Sequence, residues 1–196
     1  PTLAGPDAIE AAILRMGRLA ASLGITSYLE PGLGSGEDDG TTGCFGTPVI
    51  AAYRRLAAQD ALTARVGMLG LFGPLDGPSR LETVLAGIAG WPATDTGPGM
   101  LLARGVKIFV DGIPPLGTAW TDDPYLDGGH GGLMTGEGNA AQRLAAFETM
   151  VTAAHRRGLA VGVHATGDRS VGAFVTLIER LGGAAGLGHH VIHGEM

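Results

Sequence analysis

Two histidines and a lysine lie at or near the ends of short apolar runs, where their side chains could reach a common site. His164 ends one run and precedes a Gly-Asp turn, His193 ends another, and Lys107 lies within a third. In (β/α) barrels the C-terminal ends of the strands carry the catalytic residues. Neutral imidazole is a common ligand of Zn²⁺. The three residues therefore predict a metal-dependent hydrolase site.

The elements that must position these residues alternate along the chain. Strand patterns occur at 25–30 (ended by Pro31-Gly32), 64–70, 106–111 (after a turn at residue 105), 160–164 and 190–193, and helical patterns at 6–23, 47–59, 79–89, 139–157 and 169–181. Alternation without hairpin signals predicts a parallel sheet in a single domain, residues 1–196. A doubly wound sheet is the main alternative. A complete eight-stranded barrel usually needs about 250 residues, so we predict an α/β fold of the partial (β/α)8 TIM-barrel type.

Composition restricts the class of partner. The 196 residues carry a net charge of -6 and show no basic stripe, which argues against nucleic acid and anionic membranes as partners. We expect a small-molecule substrate, with a homo-oligomer as an open alternative. The sequence shows no apolar run of 18 residues and no signal-peptide pattern, so we expect a cytoplasmic protein, although a segment could precede Pro1. A glycine-rich loop of about 25 residues after Asp111 is longer than a simple connection requires.

Five segments share their order and spacing with a known family. They are residues 24–27, 105–112, 124–125 and 164–168 and the strand that ends at His193. Over nearly its whole length the chain resembles the amidohydrolase superfamily, and within it the amidohydrolase-3 or YtcJ-like branch that includes N-substituted formamide deformylases. The resemblance implies a distorted (β/α)8 barrel and zinc-dependent hydrolysis of amide or related carbon–nitrogen bonds.

The resemblance also implies a set of metal ligands. The family takes a His-x-His pair from the first strand, a lysine (often carboxylated) from the fourth, one histidine each from the fifth and sixth, and an aspartate from the eighth. Lys107, His164 and His193 match the fourth-, fifth- and sixth-strand positions. We therefore expect the chain to cover about strands two to six, without the ligands of strands one and eight and without the family's β-sandwich domain. The sequence His-Val-Ile-His at 190–193 departs from the family's Arg-(Ile/Val)-Glu-His.

Lys107 and Asp111 are expected to share one face of their strand with Phe109, because side chains alternate with a period of two. A buried lysine is unfavourable unless it is paired or modified. Carboxylation would make Lys107 an anionic metal ligand, and the alternative is an ion pair with Asp111 or another carboxylate. Asp111 is predicted either to contact substrate or to hold Lys107.

The remaining candidates each have a structural alternative. His164 could be a hydrogen-bonded structural histidine. Asp168 could accept a hydrogen bond from a ligand histidine or cap the helix that begins near Arg169. Tyr125 and His130, in the long loop, could line a substrate pocket or be solvated. His189 and His190 are expected at the surface.

The predicted function is hydrolysis of a non-peptide carbon–nitrogen bond in an amide- or formamide-like small molecule. Lys107, His164 and His193 would hold one or two Zn²⁺ or other divalent ions, Asp111 and Tyr125 would bind substrate, and Asp168 would support a ligand. We expect little activity from this chain alone. One alternative is a non-catalytic barrel fragment that self-associates through exposed sheet edges. Another is a metal-free (β/α)-barrel lyase in which Lys107 forms a Schiff base.

Overall fold

The described part of the chain forms a parallel sheet whose strands alternate with helices. The computed structural model describes residues 5–40, 44–75, 77–92, 99–183 and 186–196. The helices are α1 (Pro6–Ser22), α2 (Thr47–Ala58), α3 (Leu81–Gly90), α4 (Ala140–Arg156) and α5 (Asp168–Arg180), and the strands are β1 (Ser27–Leu33), β2 (Arg65–Leu71), β3 (Leu101–Phe109), β4 (Ala160–Ala165) and β5 (His190–His193). None of the described helices has the length and apolarity needed to cross a membrane.

The order of the strands distinguishes between the two predicted architectures. The sheet runs β1-β2-β3-β4-β5, and each strand pairs in parallel with the next one in sequence. A doubly wound sheet would reverse its strand order at a switch point, whereas a barrel adds its strands sequentially. The five strands form a curled half-barrel. The partial (β/α) barrel is therefore confirmed.

The predicted limits of β1 and β3 are wrong, because each strand continues through an irregularity in its pairing with β2. β1 runs through Pro31, and its pairing with β2 shifts by one residue between Glu30 and Leu33. β1 is an edge strand, and a bulge in an edge strand tolerates proline because the proline position needs no backbone N–H for the strand pairing. β3 likewise begins at Leu101 and continues through Gly105, where its pairing with β2 shifts by one residue. Gly105 is not a turn: a Cβ atom there would lie 2.1 Å from the carbonyl oxygen of Ala160.

The core lies between the sheet and the helices. Alternate strand residues such as Val106, Ile108, Val161 and Val163 pack with helix side chains such as Phe147 in one buried cluster. The intervening residues of β3 and β4 therefore point to the opposite, concave face of the sheet. This face carries the candidate site.

The long loop after β3 folds over the C-terminal ends of the strands. Asp111 and Leu133 form an isolated antiparallel bridge, and the Met134 amide donates to the Val110 carbonyl at 2.7 Å. The loop leads into α4, whose first turn is stabilised by a reciprocal capping box between Asn139 and Gln142. These bonds fix the loop beside the end of β4.

Candidate active site

Lys107 and His164 lie on the concave face of neighbouring strands, as the sequence predicts. Phe109 is the register partner of His164, and Lys107 is the partner of Gly162. The Lys107 Nζ atom lies 4.7 Å from the centre of the Phe109 ring, which in turn lies 4.9 Å from the His164 ring. Lys107 and His164 are only 5% and 3% exposed. Phe109 therefore lies between two buried polar groups, Lys107 from its own strand β3 and His164 from the neighbouring strand β4.

The hydrogen bonds of His164 define its tautomer. Its Nε2 lies 3.0 Å from the carbonyl oxygen of Gly112, and because a carbonyl can only accept, Nε2 carries the proton. Nδ1 is buried and has no hydrogen-bond partner. Burial lowers the pKa of His164, and the positive charge of Lys107 and the neighbouring His193 add to this effect, so the neutral ring is favoured. A buried nitrogen lone pair without a donor is the form in which histidine binds a metal ion.

His193 joins this group through an unusual backbone conformation. Its ring lies 4.7 Å from the His164 ring at an angle of 70°. Its φ angle is 84°, in the left-handed region that non-glycine residues seldom adopt. The side chain is 43% exposed, and Nδ1 lies 4.0 Å from a Glu195 carboxylate oxygen. The structure therefore brings His193 to His164 at the solvent-facing end of the site.

Asp111 is buried beside the site and bonds to backbone amides. Its Oδ1 accepts from the Thr166 N–H at 3.0 Å, and its Oδ2 accepts from Trp120 and Gly167 at 2.9 Å each. It lies beyond the end of β3, and not within the strand as predicted. The carboxylate thereby links three segments: the end of β3, the long loop and the turn that begins α5.

The other predicted site residues are distributed around the loop. The Tyr125 hydroxyl donates to the Ala119 carbonyl at 3.0 Å, and the Nδ1 atom of the exposed His130 lies 3.2 Å from the Thr121 carbonyl. Asp168 Oδ1 accepts from the amides of Asp122 and Arg169, both at 2.9 Å. Asp168 thus satisfies one amide of the first turn of α5 and one of the long loop.

Several residues near the site could not be identified from the sequence. Thr166 donates its hydroxyl to the Gly112 carbonyl at 2.6 Å, so this carbonyl accepts from both Thr166 and His164. Arg143 lines a cavity next to His164. The His-Ala-Thr-Gly sequence at 164–167, at a strand end, was the available signal for Thr166, whereas nothing in the local pattern distinguished Arg143.

His189 and His190 lie directly before and at the start of β5, and both are half-buried, not fully at the surface. His189 Nδ1 accepts from the Val161 N–H at 3.0 Å, and its Nε2 lies 3.0 Å from His155 Nδ1. His190 Nδ1 lies 2.9 Å from the Gly188 carbonyl, and its Nε2 is buried without a partner. Both side chains are half-buried because the start of β5 packs against the start of β4 and the end of α4.

The donor set fits a metal ion in part. His164 offers a buried, unpartnered Nδ1. The ring of His193 lies next to that of His164, and the Lys107 amine lies over the ring of Phe109. Within the described residues, however, no three histidine, cysteine or acidic side chains cluster in a way that could hold an ion. Two histidines and a lysine are compatible with part of a metal site whose other ligands are supplied elsewhere.

Comparisons with known proteins agree with this architecture. The sequence profile described as "Amidohydrolase family" matches residues 3–196. The fold is similar to crystal structures of an uncharacterized metal-dependent hydrolase from Pyrococcus horikoshii OT3 (18% identity, TM-score 0.64, covering 95% of this chain and 32% of that one) and another from Pyrococcus furiosus (20% identity, TM-score 0.65, covering 97% and 34%). The chain thus spans about a third of the length of each matched structure. No curated protein sequence matches it.

Proposed function

Because the chain belongs to the amidohydrolase family, we propose that it forms the central part of a metal-dependent hydrolase of non-peptide carbon–nitrogen bonds. The observation that carries the proposal is the buried His164 ring, whose Nε2 is held by Gly112 and whose Nδ1 has no partner. Nothing within the described protein uses this lone pair. A ligand role explains why a buried nitrogen is left without a hydrogen bond.

Each residue of the group has a distinct proposed role. His164 would bind the ion through Nδ1, with Gly112 fixing the ring, and His193 would bind it from the next strand. Lys107, as an unmodified amine or after carboxylation, would complete this side of the site. A bound divalent ion, zinc in our proposal, would polarise the substrate carbonyl and acidify water. Asp111 would preserve the geometry by holding the backbone at Thr166 and Gly167.

The resemblance implies further ligands on the first and eighth strands of the barrel. The chain spans about a third of the matched structures, so we infer that these strands are needed for efficient catalysis. We expect the 196 residues alone to turn over an N-formyl or N-acyl amide more slowly than about 1 s⁻¹, the low end for ordinary enzymes. A small-molecule amide is the proposed partner, and we propose neither nucleic acid nor membrane binding.

Metal analysis by mass spectrometry, on the wild type and on His164→Ala, tests the proposal directly. We expect about one divalent ion per chain in the wild type and a large loss in the variant, because the variant lacks the buried donor. His130→Ala is the matched control, since His130 lies in the exposed part of the loop. Equal metal content in wild type and His164→Ala would contradict the proposal.

A second measurement separates the hydrolase from a Schiff-base lyase. Borohydride reduction in the presence of a carbonyl substrate would attach that substrate covalently to Lys107 only if an imine forms. We expect no adduct on Lys107 and, in the metal-loaded protein, release of an amine from an N-formyl substrate. An adduct that disappears in Lys107→Arg would favour the lyase.

A further inference from the structure

A cavity of about 690 Å³ opens beside His164, and its size is in the usual range for small-molecule sites. It lies between the end of β3 and the long loop. Its lining is mainly aliphatic and glycine: the aliphatic side chains are Ile113, Leu116, Leu133 and Met134. Leu116 is 72% exposed, so part of this apolar wall faces solvent. The cavity is therefore suited to an apolar group next to the candidate site.

One permanent positive charge lies in the described lining of this cavity. Arg143 is half-buried, and its guanidinium donates from Nε to the Gly138 carbonyl at 3.0 Å and from Nη1 to the Leu133 carbonyl at 3.2 Å. These two neutral acceptors fix the orientation of the guanidinium. A guanidinium has five N–H donors, so the two bonds leave donors available for a ligand.

No carboxylate of the described protein balances the charge of Arg143. The arginines that pair with acidic side chains there are Arg55, Arg80, Arg169 and Arg180. Asp111, the one carboxylate in the described lining, is bonded by three backbone amides. Arg143 is not among them: its guanidinium donates to two carbonyl oxygens, and the residue lines a mainly apolar cavity.

The position of Arg143 in its helix is also electrostatically unfavourable. It lies in the first turns of α4, whose N-terminus carries the positive end of the helix dipole, where anions are favoured and cations are not. The first turn of α4 contains no acidic residue. A bound anion would offset the charge of Arg143 and the dipole together.

We propose that Arg143 binds a carboxylate of the substrate and that the apolar walls bind the carbon skeleton next to it. Resting on the proposed function, this assigns the substrate to amides that carry a carboxylate on an aliphatic or aromatic arm. The guanidinium is a specificity-determining group: its planar donors match a carboxylate in two-point contact. Neutral amides of the same skeleton would fill the cavity without satisfying Arg143.

A matched pair of probes tests the assignment without any turnover. The probes are 4-methylpentanoate and 4-methylpentanamide, which share a branched skeleton and differ in charge. Binding is followed by NMR titration of the protein, with its metal content measured in the same sample. We expect the acid to bind about tenfold more tightly than the amide, since hydrogen bonds to charged groups are stronger than neutral ones. Equal affinities, or binding of neither probe, would overturn the proposal.

Two variants assign the preference to Arg143. We expect Arg143→Gln to reduce the acid-over-amide ratio to about one and Arg143→Lys to retain part of it, since lysine keeps the charge but not the planar donors. Arg80→Gln is the control, because Arg80 is exposed and paired with Glu137. A ratio that persists in Arg143→Gln would overturn the proposal. Because metal content is read separately, loss of acid binding with metal retained disproves only the role of Arg143, whereas acid binding retained without metal counts against the proposed metal site and leaves the role of Arg143 standing.

Discussion

The rings of His164 and His193 lie 4.7 Å apart even though regular strand pairing would place the two residues on opposite faces of the sheet. His193 is the register partner of Ala165, which packs on the helix side, whereas His164 points to the concave side. The φ angle of 84° at His193 breaks the alternation and turns its ring toward His164. Such a conformation disfavours folding by about 1–3 kcal/mol, and strain of this kind is concentrated at functional sites.

The first prediction concerns the tautomer of His164. In the metal-free protein we expect Nε2 to be protonated and Nδ1 bare, because the Gly112 carbonyl can only accept. Nitrogen-15 NMR of the histidine side chains distinguishes the two ring nitrogens. Proton density on Nδ1 at pH 7.5 would contradict both the tautomer and the ligand role derived from it.

Thr166→Val provides the control for this measurement. The variant removes the hydroxyl that shares the Gly112 carbonyl, at a cost of about 1 kcal/mol for one hydrogen bond. The tautomer of His164 should not change, since its own bond to Gly112 remains. A change of tautomer would show instead that the threonine hydroxyl holds the carbonyl in place.

The second prediction concerns the carboxylate of Asp111. Asp111→Asn places an NH₂ group where a carboxylate oxygen accepts backbone N–H groups, so at least one buried amide of Thr166, Gly167 or Trp120 loses its acceptor. We expect a loss of about 2–3 kcal/mol in the free energy of unfolding, measured by urea denaturation. Asp127→Asn is the control: its exposed side chain accepts one amide, which an asparagine oxygen can also do. Equal effects in the two variants would exclude the linking role of Asp111.

Sequence patterns predicted the elements and the placement of Lys107 and His164 on neighbouring strands because both depend on local order. Helix periodicity, strand alternation and the glycines that follow α1 and α4 (Gly24 and Gly158) are read within a single segment. Lys107 and His164 follow from the same reasoning, since β3 and β4 are neighbours in the chain and in the sheet. The family resemblance then supplied their possible chemistry.

The parts of the site that depend on loop closure could not be predicted in this way. The three amides that bond to Asp111 belong to residues that lie up to 56 positions away from it in the sequence. His193 adopts a left-handed backbone conformation, which residues other than glycine seldom adopt. Arg143 meets the cavity only because the loop after β3 folds back over the strand ends. In each case the contact forms between segments whose local sequence does not encode it.

The third prediction compares two glycines of the α5 segment. Gly167 precedes α5, and a Cβ atom there would lie 2.1 Å from the Trp120 carbonyl oxygen, whereas a Cβ atom at Gly172 would meet nothing within 4 Å. We expect Gly167→Ala to destabilise by about 1–3 kcal/mol through overpacking. Gly172→Ala should stabilise by about 0.5–1 kcal/mol, because alanine favours the helix. Thermal unfolding of both variants shows whether each substitution raises or lowers the stability. A stabilised Gly167→Ala would show that the loop around Trp120 can move to accommodate the added methyl group.

The last prediction concerns pH and the contact between His155 and His189. His189 Nδ1 accepts from the Val161 N–H, so the neutral ring donates from Nε2 toward His155. Burial lowers the pKa of His189 below its ordinary value of 6.5, and the nearby His155 and His190 lower it further. The unfolded chain therefore takes up a proton at a higher pH than the folded chain. The contribution of His189 to stability is fully present above pH 6.5 and is lost as the pH falls through the lower folded-state pKa.

Urea denaturation between pH 8 and pH 5 tests this sign. The free energy of unfolding of the wild type should fall as the pH decreases below 6.5. In His189→Asn, an amide oxygen can still accept from Val161 but cannot titrate, so the decrease should be shallower, with the part due to His164 remaining. His189→Ala should instead lose stability across the whole range, by about 1–3 kcal/mol for an unpaired buried amide. If His189→Asn and the wild type showed the same pH dependence, protonation of His189 would not be what weakens this contact.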